Sequence, residues 1–273
     1  MSLYRHALPQ LADRPFITDG GLETTLVYHE GIDLPHFAAF VLFDRPEGAT
    51  ILAQYFARYA EIGCANSVGV VLESATWRAN PDWGHKLGYN DNALADVQRK
   101  SIEQLLAIRE RYATPGTPIV VSGNLGPRGD GYRPDARMSA AEAEAYHGPQ
   151  VRTFAATQAD MVAAFTMNYL DEAIGIVAAA RKSAMPVAIS FTLETNGRLP
   201  SGDSLDTAIA RTDEATDGYP AYYMINCAHP THSAMCCEVP TDGPAGSAAS
   251  APTRRSAAMP SSTSRQSSTS ATP

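Results

Sequence analysis

The chain has 273 residues, 44% of them hydrophobic and 18% charged, so it is long enough for one large domain with a substantial core. Its net charge of -8 and the lack of any block of Lys or Arg argue against nucleic acid or an anionic membrane surface as the main partner. A small-molecule substrate fits this composition better.

The sequence also bears on the cellular compartment. Residues 1–16 contain no apolar region of the kind found in a signal peptide, and no apolar run approaches membrane-spanning length. The 4 cysteines are too few for a disulfide scaffold in a chain of this length, and two of them are adjacent. We therefore expect a cytoplasmic protein without a membrane partner.

Short apolar runs alternate with longer helical patterns from residue 15 to residue 227, which is typical of βα units around a parallel sheet. Ser139 and Glu142 form a capping-box pattern at the start of one helix. The predicted strands are 16–19, 67–73, 118–122, 160–165, 187–192 and 221–226. The first of five predicted helices begins near Glu47, and the others cover 97–112, the segment after Ser139, 171–183 and 203–216.

The composition changes abruptly after the sixth predicted strand. Residues 231–273 are rich in Ser, Thr, Ala and Pro and contain no aromatic, Leu or Ile residue. Such a segment cannot bury enough apolar surface to offset the entropy of ordering. We expect a βα domain over residues 1–230 and a disordered tail over residues 231–273.

Candidate functional residues collect where the predicted strands end. In a parallel βα architecture, the loops that leave the carboxyl ends of the strands share one face, so these residues are expected to lie together. The segments are Asp19-Gly20-Gly21, Glu73-Ser74-Ala75-Thr76, Ser122-Gly123-Asn124, Phe165-Thr166, Thr192-Leu193-Glu194 and Asn226-Cys227.

Each of these motifs has a simpler structural interpretation. Asp19 followed by two glycines suits the binding of an amino group, but Asp-Gly pairs are also common in tight turns. The Gly-rich loop 122–129 lacks the Lys-Ser/Thr ending of a phosphate-binding P-loop. Cys227 alone is compatible with an inert, small hydrophobic side chain.

Taken in order, the motifs resemble those of the homocysteine S-methyltransferase family. The resemblance extends over about 210 residues, and its order and approximate spacing make it specific. It rests on Phe16-Ile17-Thr18-Asp19-Gly20-Gly21-Leu22-Glu23-Thr24, Thr76-Trp77-Arg78-Ala79, Ser122-Gly123-Asn124-Leu125-Gly126-Pro127, Glu172-Ala173, Ser190-Phe191-Thr192 and Ile225-Asn226-Cys227.

The resemblance implies a (β/α)8 TIM barrel and transfer of a methyl group from a sulfonium or ammonium donor to the thiol of homocysteine, giving methionine. It also implies zinc, which binds the substrate sulfur as thiolate and is held by three cysteines, the first of which matches Cys227. Asp19, Gly20 and Gly21 match the segment that contacts the amino-acid part of homocysteine. Thr76 matches a pocket residue, and Asn226 is expected in the same substrate site.

The sequence departs from the family in two places. The family often carries a glutamate at the end of the fourth strand that helps to hold the substrate amino group, whereas residues 164–167 read Ala-Phe-Thr-Met. Glu73 or Glu194 could substitute for it. In addition, the Gly-Gly-Cys-Cys-Gly segment that supplies the other two zinc ligands is missing, and the barrel is expected to be truncated after about six βα units.

Cys236 and Cys237 are the remaining candidate zinc ligands, although their neighbours are Met235 and Glu238 rather than glycines. Three interpretations of function stay open at this point. The chain is a zinc-dependent methyltransferase acting on homocysteine or a related thiol, a non-catalytic family member that keeps at most an amino-acid pocket, or a different βα enzyme. The last would use Glu73, Glu194 or His229 as acid or base. The sequence does not identify the methyl donor, and it is compatible with either a monomer or a homo-oligomer.

Overall fold

The computed structural model describes residues 1–135, 137–229 and 231–232. Within them, six parallel strands form one sheet in the order β1-β2-β3-β4-β5-β6, curled into a half-barrel of the TIM type. The strands are β1 (Phe16–Thr18), β2 (Gly69–Glu73), β3 (Ile119–Leu125), β4 (Met161–Met167), β5 (Val187–Phe191) and β6 (Tyr222–Ile225).

Helices connect successive strands, as the alternating pattern predicts. They are α1 (Leu22–Thr24), α2 (Pro46–Asn66), α3 (Pro81–Lys86), α4 (Asp91–Tyr112), α5 (Ala140–Ala155), α6 (Leu170–Lys182) and α7 (Leu205–Thr216). Side-chain caps fix several of the starts, because Asn80, Asn90 and Ser204 each accept a hydrogen bond from a backbone N–H in the first turn. The predicted capping box of Ser139 and Glu142 is confirmed at α5.

The sheet has a hydrophobic cluster on each face. Val70, Leu72 and Val121 belong to the larger cluster, which includes buried residues of the surrounding helices. Alternate strand residues, among them Val71 and Val120, point to the concave face and pack with Leu8 of the N-terminal segment. The concave face is therefore a packed interior at mid-strand, and its polar residues stand nearer the strand ends.

Asp160, just before β4, ties the N-terminal segment to the sheet. Its carboxylate accepts hydrogen bonds from the backbone N–H groups of Leu3, Tyr4 and Val121, at 2.9, 2.8 and 3.0 Å. It also pairs with the buried guanidinium of Arg109 on α4, at 2.6 Å. This side chain thus joins four parts of the chain at the amino-terminal edge of the sheet.

The predicted strands and main helices are confirmed, with differences of one or two residues at most strand boundaries and extensions at the ends of two strands. The third and fourth strands continue to Leu125 and Met167, beyond the predicted ends at residues 122 and 165. β4 achieves this through a register shift between Ala164 and Met167, where Thr166 adopts a left-handed backbone with φ of 62°. The short helices before residue 46 and α3 were not predicted, because they lack a sustained apolar period.

Two further predictions concern the C-terminal tail and the absence of membrane-spanning segments. The predicted disordered tail lies outside the described residues from residue 233 onward, as do Cys236 and Cys237. No helix in the described ranges is long and apolar enough to cross a membrane.

Candidate functional site

The first part of the candidate site lies at the ends of β1 and β2. The Asp19 carboxylate accepts a hydrogen bond from the backbone N–H of Glu73 at 2.9 Å, which holds these two acidic residues side by side. Burial, followed by the charge of Glu73, raises the pKa of Asp19 well above its usual value. Burial also raises the pKa of Glu73 to about 8. One or both groups therefore keep a proton at neutral pH.

Gly20 and Gly21 allow the chain to turn tightly after Asp19. A Cβ atom at Gly20 would lie 2.5 Å from the hydroxyl oxygen of Tyr59, so a larger residue would displace this tyrosine. Gly21 precedes α1, and its carbonyl accepts a hydrogen bond from Thr25 N–H at 2.9 Å. The backbone at both glycines is exposed and accessible to a ligand.

Thr76 is fully buried behind the end of β2. Its hydroxyl donates to the carbonyl of Asn124 at 2.7 Å and lies 2.7 Å from the Ser74 hydroxyl. The Ser74 hydroxyl in turn accepts from the backbone N–H of Asn124 at 2.9 Å. Thr76 thus fastens the loop after β2 to the end of β3, and its described contacts are all within the protein.

Arg78 lies on the same loop and belongs to a motif of the family resemblance, but the sequence predicted no role for it. Its guanidinium stacks over the rings of Trp77 and Trp83, at 4.0 and 4.1 Å from their centroids, and donates to the carbonyl of Gly129 at 2.9 Å. Burial lowers its pKa to about 10, although the charges of Asp130 and Glu23 oppose this shift. Burial likewise raises the pKa of Glu23 to about 7.

The second part of the site lies at the end of β6. The Asn226 side-chain oxygen accepts from Thr166 N–H at 2.9 Å and from the Ser190 hydroxyl at 2.8 Å. Its amide group donates to the Thr166 hydroxyl at 2.9 Å and to the Cys227 sulfur at 3.2 Å. Asn226 therefore links the ends of β4, β5 and β6, and it orients the exposed Cys227, whose backbone is left-handed with φ of 52°.

Tyr132 connects the two parts. It lies in the loop after β3, and burial, followed by its charge interaction and hydrogen bond with Cys227, raises its pKa. Arg78 interacts electrostatically with Tyr132 and with Glu23 on α1. A chain of side-chain interactions thus runs from Glu23 through Arg78 and Tyr132 to Cys227. No sequence motif indicates Tyr132, because it stands in an irregular Gly- and Pro-containing loop.

A zinc site requires several ligands that lie close together. No group of three His, Cys, Asp or Glu side chains in residues 1–135, 137–229 and 231–232 is arranged to hold a metal ion. Of the two cysteines that the structure describes, Cys227 stands at the strand ends, whereas Cys64 belongs to α2 and donates to the Tyr112 carbonyl at 3.3 Å. The described residues by themselves therefore do not fit a three-cysteine zinc centre.

A groove on the outer surface lies away from the strand ends. It has a volume of about 620 Å³ and lies between α2 and α4, lined by residues such as Ala53, Arg58 and Ile108. None of the strand-end residues contributes to it. It has no arrangement suited to thiol chemistry, and the carboxyl ends of the strands remain the candidate site.

Comparison with known proteins agrees with this architecture. The family model described as Homocysteine S-methyltransferase matches residues 16–267, a range that continues past the described residues. The metallated form of the homocysteine methyltransferase MmuM from Escherichia coli is 24% identical with a TM-score of 0.63, and the match covers 81% of this chain and 77% of that chain. Its oxidized form is 23% identical with a TM-score of 0.64, over 81% and 76%. These two likenesses show the fold. No curated protein sequence gives a significant match.

Proposed function

Because the chain belongs to the homocysteine S-methyltransferase family, we propose that it transfers a methyl group to the thiol of homocysteine, or a related thiol, to give methionine. The observation that carries this proposal is the position of Cys227, which stands exposed at the carboxyl end of β6 and is oriented by Asn226. Asp19, Gly20, Gly21 and Thr76 lie at the same edge of the sheet. The proposed ligands are this small-molecule thiol and a sulfonium or ammonium methyl donor.

Each proposed site residue has a role that its surroundings support. The Asp19 carboxylate receives the substrate amino group, since it stands at the end of β1 beside an exposed glycine backbone. Gly20 and Gly21 let the amino-acid part approach the main chain. Thr76 holds the loop that forms the wall of the pocket. Asn226 fixes the backbone around Thr166 and Cys227 and thereby shapes the end of the pocket nearest the sulfur.

Zinc is the cofactor expected for such a reaction, because a bound zinc ion stabilises a thiolate at neutral pH. Cys227 is the proposed ligand in the described residues, and Cys236 and Cys237, outside them, are the remaining candidates. The described residues by themselves do not assemble the ligands of this metal. The cytoplasmic location and the domain boundary at residue 230 stay predictions from the sequence.

The incomplete set of zinc ligands in the described residues favours a second candidate function. With one cysteine ligand in the described ranges, the chain can be a non-catalytic family member that binds an amino-acid thiol without methylating it. Its pocket would then consist of the Asp19 side of the site. This alternative predicts homocysteine binding in the absence of both zinc and methionine formation.

Metal content and methionine formation of the full chain distinguish these functions. We expect the zinc-loaded protein to form methionine from homocysteine and S-methylmethionine or S-adenosylmethionine. Cys227→Ala should lower both zinc content and the rate, the latter by about 100-fold or more, because the ligand itself is lost. Cys64→Ala is the matched control, since Cys64 belongs to α2, and it should retain both properties.

Each alternative outcome has a defined meaning. Methionine formation that survives both Cys227→Ala and chelation contradicts the zinc-thiolate function and favours a βα enzyme that uses an acid or base such as Glu73, Glu194 or His229. Homocysteine binding without zinc and without methionine formation supports the non-catalytic family member.

A further inference from the structure

Glu172 is a buried carboxylate near the start of α6 to which the proposed function assigns no role. It belongs to the Glu172-Ala173 motif of the family resemblance, and its side chain is 1% exposed. A buried carboxylate needs donors from the protein, because burial removes the water that would hydrate its charge. The Arg128 backbone N–H donates to it at 2.7 Å, and the His147 Nε2 lies 2.9 Å away. Glu172 therefore joins α6 to α5 and to the loop after β3.

The same carboxylate holds the loop between β3 and α5 near both of its ends. This β3–α5 loop is described over residues 126–135 and 137–139. Near its start, the Arg128 N–H donates directly to Glu172. Near its end, the Met138 N–H donates to the hydroxyl of Tyr169 at 3.1 Å, and this hydroxyl is hydrogen-bonded in turn to Glu172. One side chain on α6 thus fixes two points of the loop.

Between these two points the loop lies against the carboxyl ends of the strands. A Cβ atom at Gly131 would stand 2.9 Å from the Thr166 Cγ2 atom, so the loop backbone packs directly on the end of β4. The next residue, Tyr132, has its hydroxyl hydrogen-bonded to Cys227. The position of the Tyr132 hydroxyl relative to the Cys227 sulfur therefore depends on where the loop is held.

The side chain of Arg128 provides a weaker anchor than its backbone. Its guanidinium pairs with Asp82 on α3 at 2.9 Å, but the two side chains are 40% and 41% exposed. Exposed ion pairs contribute little to stability, because water screens the charges and both side chains lose freedom. The hydrogen bond from the Arg128 N–H to Glu172 ends on a buried carboxylate, where water competes less. We therefore expect Glu172 to hold this end of the loop more firmly than Asp82 does.

We propose that Glu172 is a positioning residue that holds the β3–α5 loop near both ends and thereby keeps the Tyr132 hydroxyl at the Cys227 sulfur. The inference rests on the proposed function for the reaction at Cys227, whereas the position of the loop can be measured without that reaction. Glu172 acts through Tyr132, so its replacement should change the rate of methyl transfer more than the binding of the amino-acid part of the substrate.

Hydrogen exchange of the full chain tests the anchoring. Glu172→Leu keeps a similar volume but removes the acceptor, so exchange of residues 126–135 should accelerate by about 10-fold or more. Glu172→Gln keeps an acceptor oxygen and should restore most of the protection, which a side chain that only fills space would not do. Glu144→Leu is the matched control, because Glu144 pairs with Lys182 between the same two helices. It should leave exchange of the loop unchanged.

Methionine formation tests the link between the loop and the reaction. Glu172→Leu should lower kcat by about 10-fold or more and change KM for homocysteine by less than about 2-fold, because the displaced loop affects the sulfur end of the site. Tyr132→Phe should also lower kcat. Adding Glu172→Leu to Tyr132→Phe should have little further effect, since both substitutions remove the same contact.

Several outcomes would overturn the inference. These are unchanged exchange of residues 126–135 in Glu172→Leu, equal acceleration throughout the sheet, no rescue in Glu172→Gln, and rate losses that multiply in the double variant. If circular dichroism shows that Glu172→Leu does not fold, Tyr169→Phe replaces it, since loss of this hydroxyl should accelerate exchange at residues 137–139.

The two readouts separate this inference from the proposed function. A wild-type chain that forms no methionine contradicts the proposed function, and the exchange data with the rescue in Glu172→Gln then decide the inference. Methionine formation with an unchanged kcat in Glu172→Leu would do the reverse, because the reaction would proceed without the proposed positioning.

Discussion

At the scale of single residues, the buried carboxyl of Glu73 makes the stability of the fold depend on pH. In the unfolded chain its pKa is near the ordinary value of 4.5, whereas burial raises the folded value to about 8. Between these values the unfolded chain releases a proton that the folded chain keeps. Raising the pH through this window therefore favours unfolding, and the stability present below pH 4.5 is lost as the pH approaches 8.

We predict that Glu73→Gln removes this dependence. The difference in unfolding free energy between variant and wild type should grow by up to about 1.4 kcal/mol per pH unit across the window. Urea denaturation at a series of pH values measures it. The control is Glu194→Gln, which replaces an exposed carboxyl and should run parallel to the wild type. Parallel curves for Glu73→Gln would contradict the prediction.

The sequence predicts some residues of the candidate site and not others, and the difference lies in the kind of contact that each residue makes. Asp19, Asn226 and Cys227 stand where a predicted strand ends, and the alternation of strands and helices places such ends at one edge of a parallel sheet without knowledge of tertiary contacts. Arg78 and Tyr132 depend on contacts between loops that are about 50 residues apart, as in the Arg78–Gly129 bond, and no local pattern encodes such a contact. The sequence analysis gave Glu73 as a candidate, but its lack of a hydrogen-bond partner among the described residues is visible only in three dimensions.

At the scale of elements, close packing of α5 against α6 depends on Gly175. A Cβ atom there would lie 2.5 Å from the Ala140 carbonyl oxygen and 2.5 Å from the Ala143 Cβ, both on α5. These atoms belong to backbone or to a short side chain, so they cannot move aside independently of the helix. The α5–α6 interface therefore requires glycine at this position.

We predict that Gly175→Ala lowers the unfolding free energy by about 1–3 kcal/mol, because overpacking forces the helices apart. Gly148→Ala on α5 is the matched control, since its Cβ would meet only the flexible end of Arg152, at 3.0 Å. That variant should be neutral or up to about 1 kcal/mol more stable, owing to the higher helix propensity of alanine. Thermal or urea unfolding measures both. Equal effects would show that helix propensity, not interhelical contact, dominates.

The element order was predictable because strand and helix periods differ and caps mark helix starts. The capping box at Ser139 is confirmed for this reason. The extension of β4 through Met167 was not predictable, because the register shift depends on Thr166 accepting a left-handed backbone. That conformation is held by Asn226, a residue on another strand. Local sequence around residue 166 contains no sign of it.

At the scale of the whole molecule, Asp160 joins the N-terminal segment, α4, β3 and β4. Replacement by asparagine keeps the shape but removes the charge that pairs with Arg109 and turns one acceptor into a donor. The buried guanidinium would then lack its counter-charge, and one or two backbone N–H groups would lose an acceptor, depending on which position the amide nitrogen takes. The replacement therefore weakens the contacts among the N-terminal segment, α4, β3 and β4 together.

We predict that Asp160→Asn lowers the unfolding free energy by about 3–5 kcal/mol, the range for breaking a buried ion pair. Hydrogen exchange of residues 3–11 should also accelerate, since the segment loses its anchor. Asp96→Asn is the control, because Asp96 forms an exposed pair with Arg99 at 2.6 Å and should change stability by less than about 1 kcal/mol. An unchanged exchange rate in residues 3–11 would contradict the anchoring role.

The bond between Asn226 and Thr166 joins residues 60 positions apart, and this separation sets an order of events in time. On the ribosome, β1 to β4 emerge before Asn226 has been synthesised, and the sheet can begin to pair strand by strand as it appears. The turn at Thr166 cannot be locked until β6 has docked beside β5. A nascent chain therefore passes through a stage at which the first strands are paired but the strand ends around Thr166, part of the proposed site, are not yet fixed.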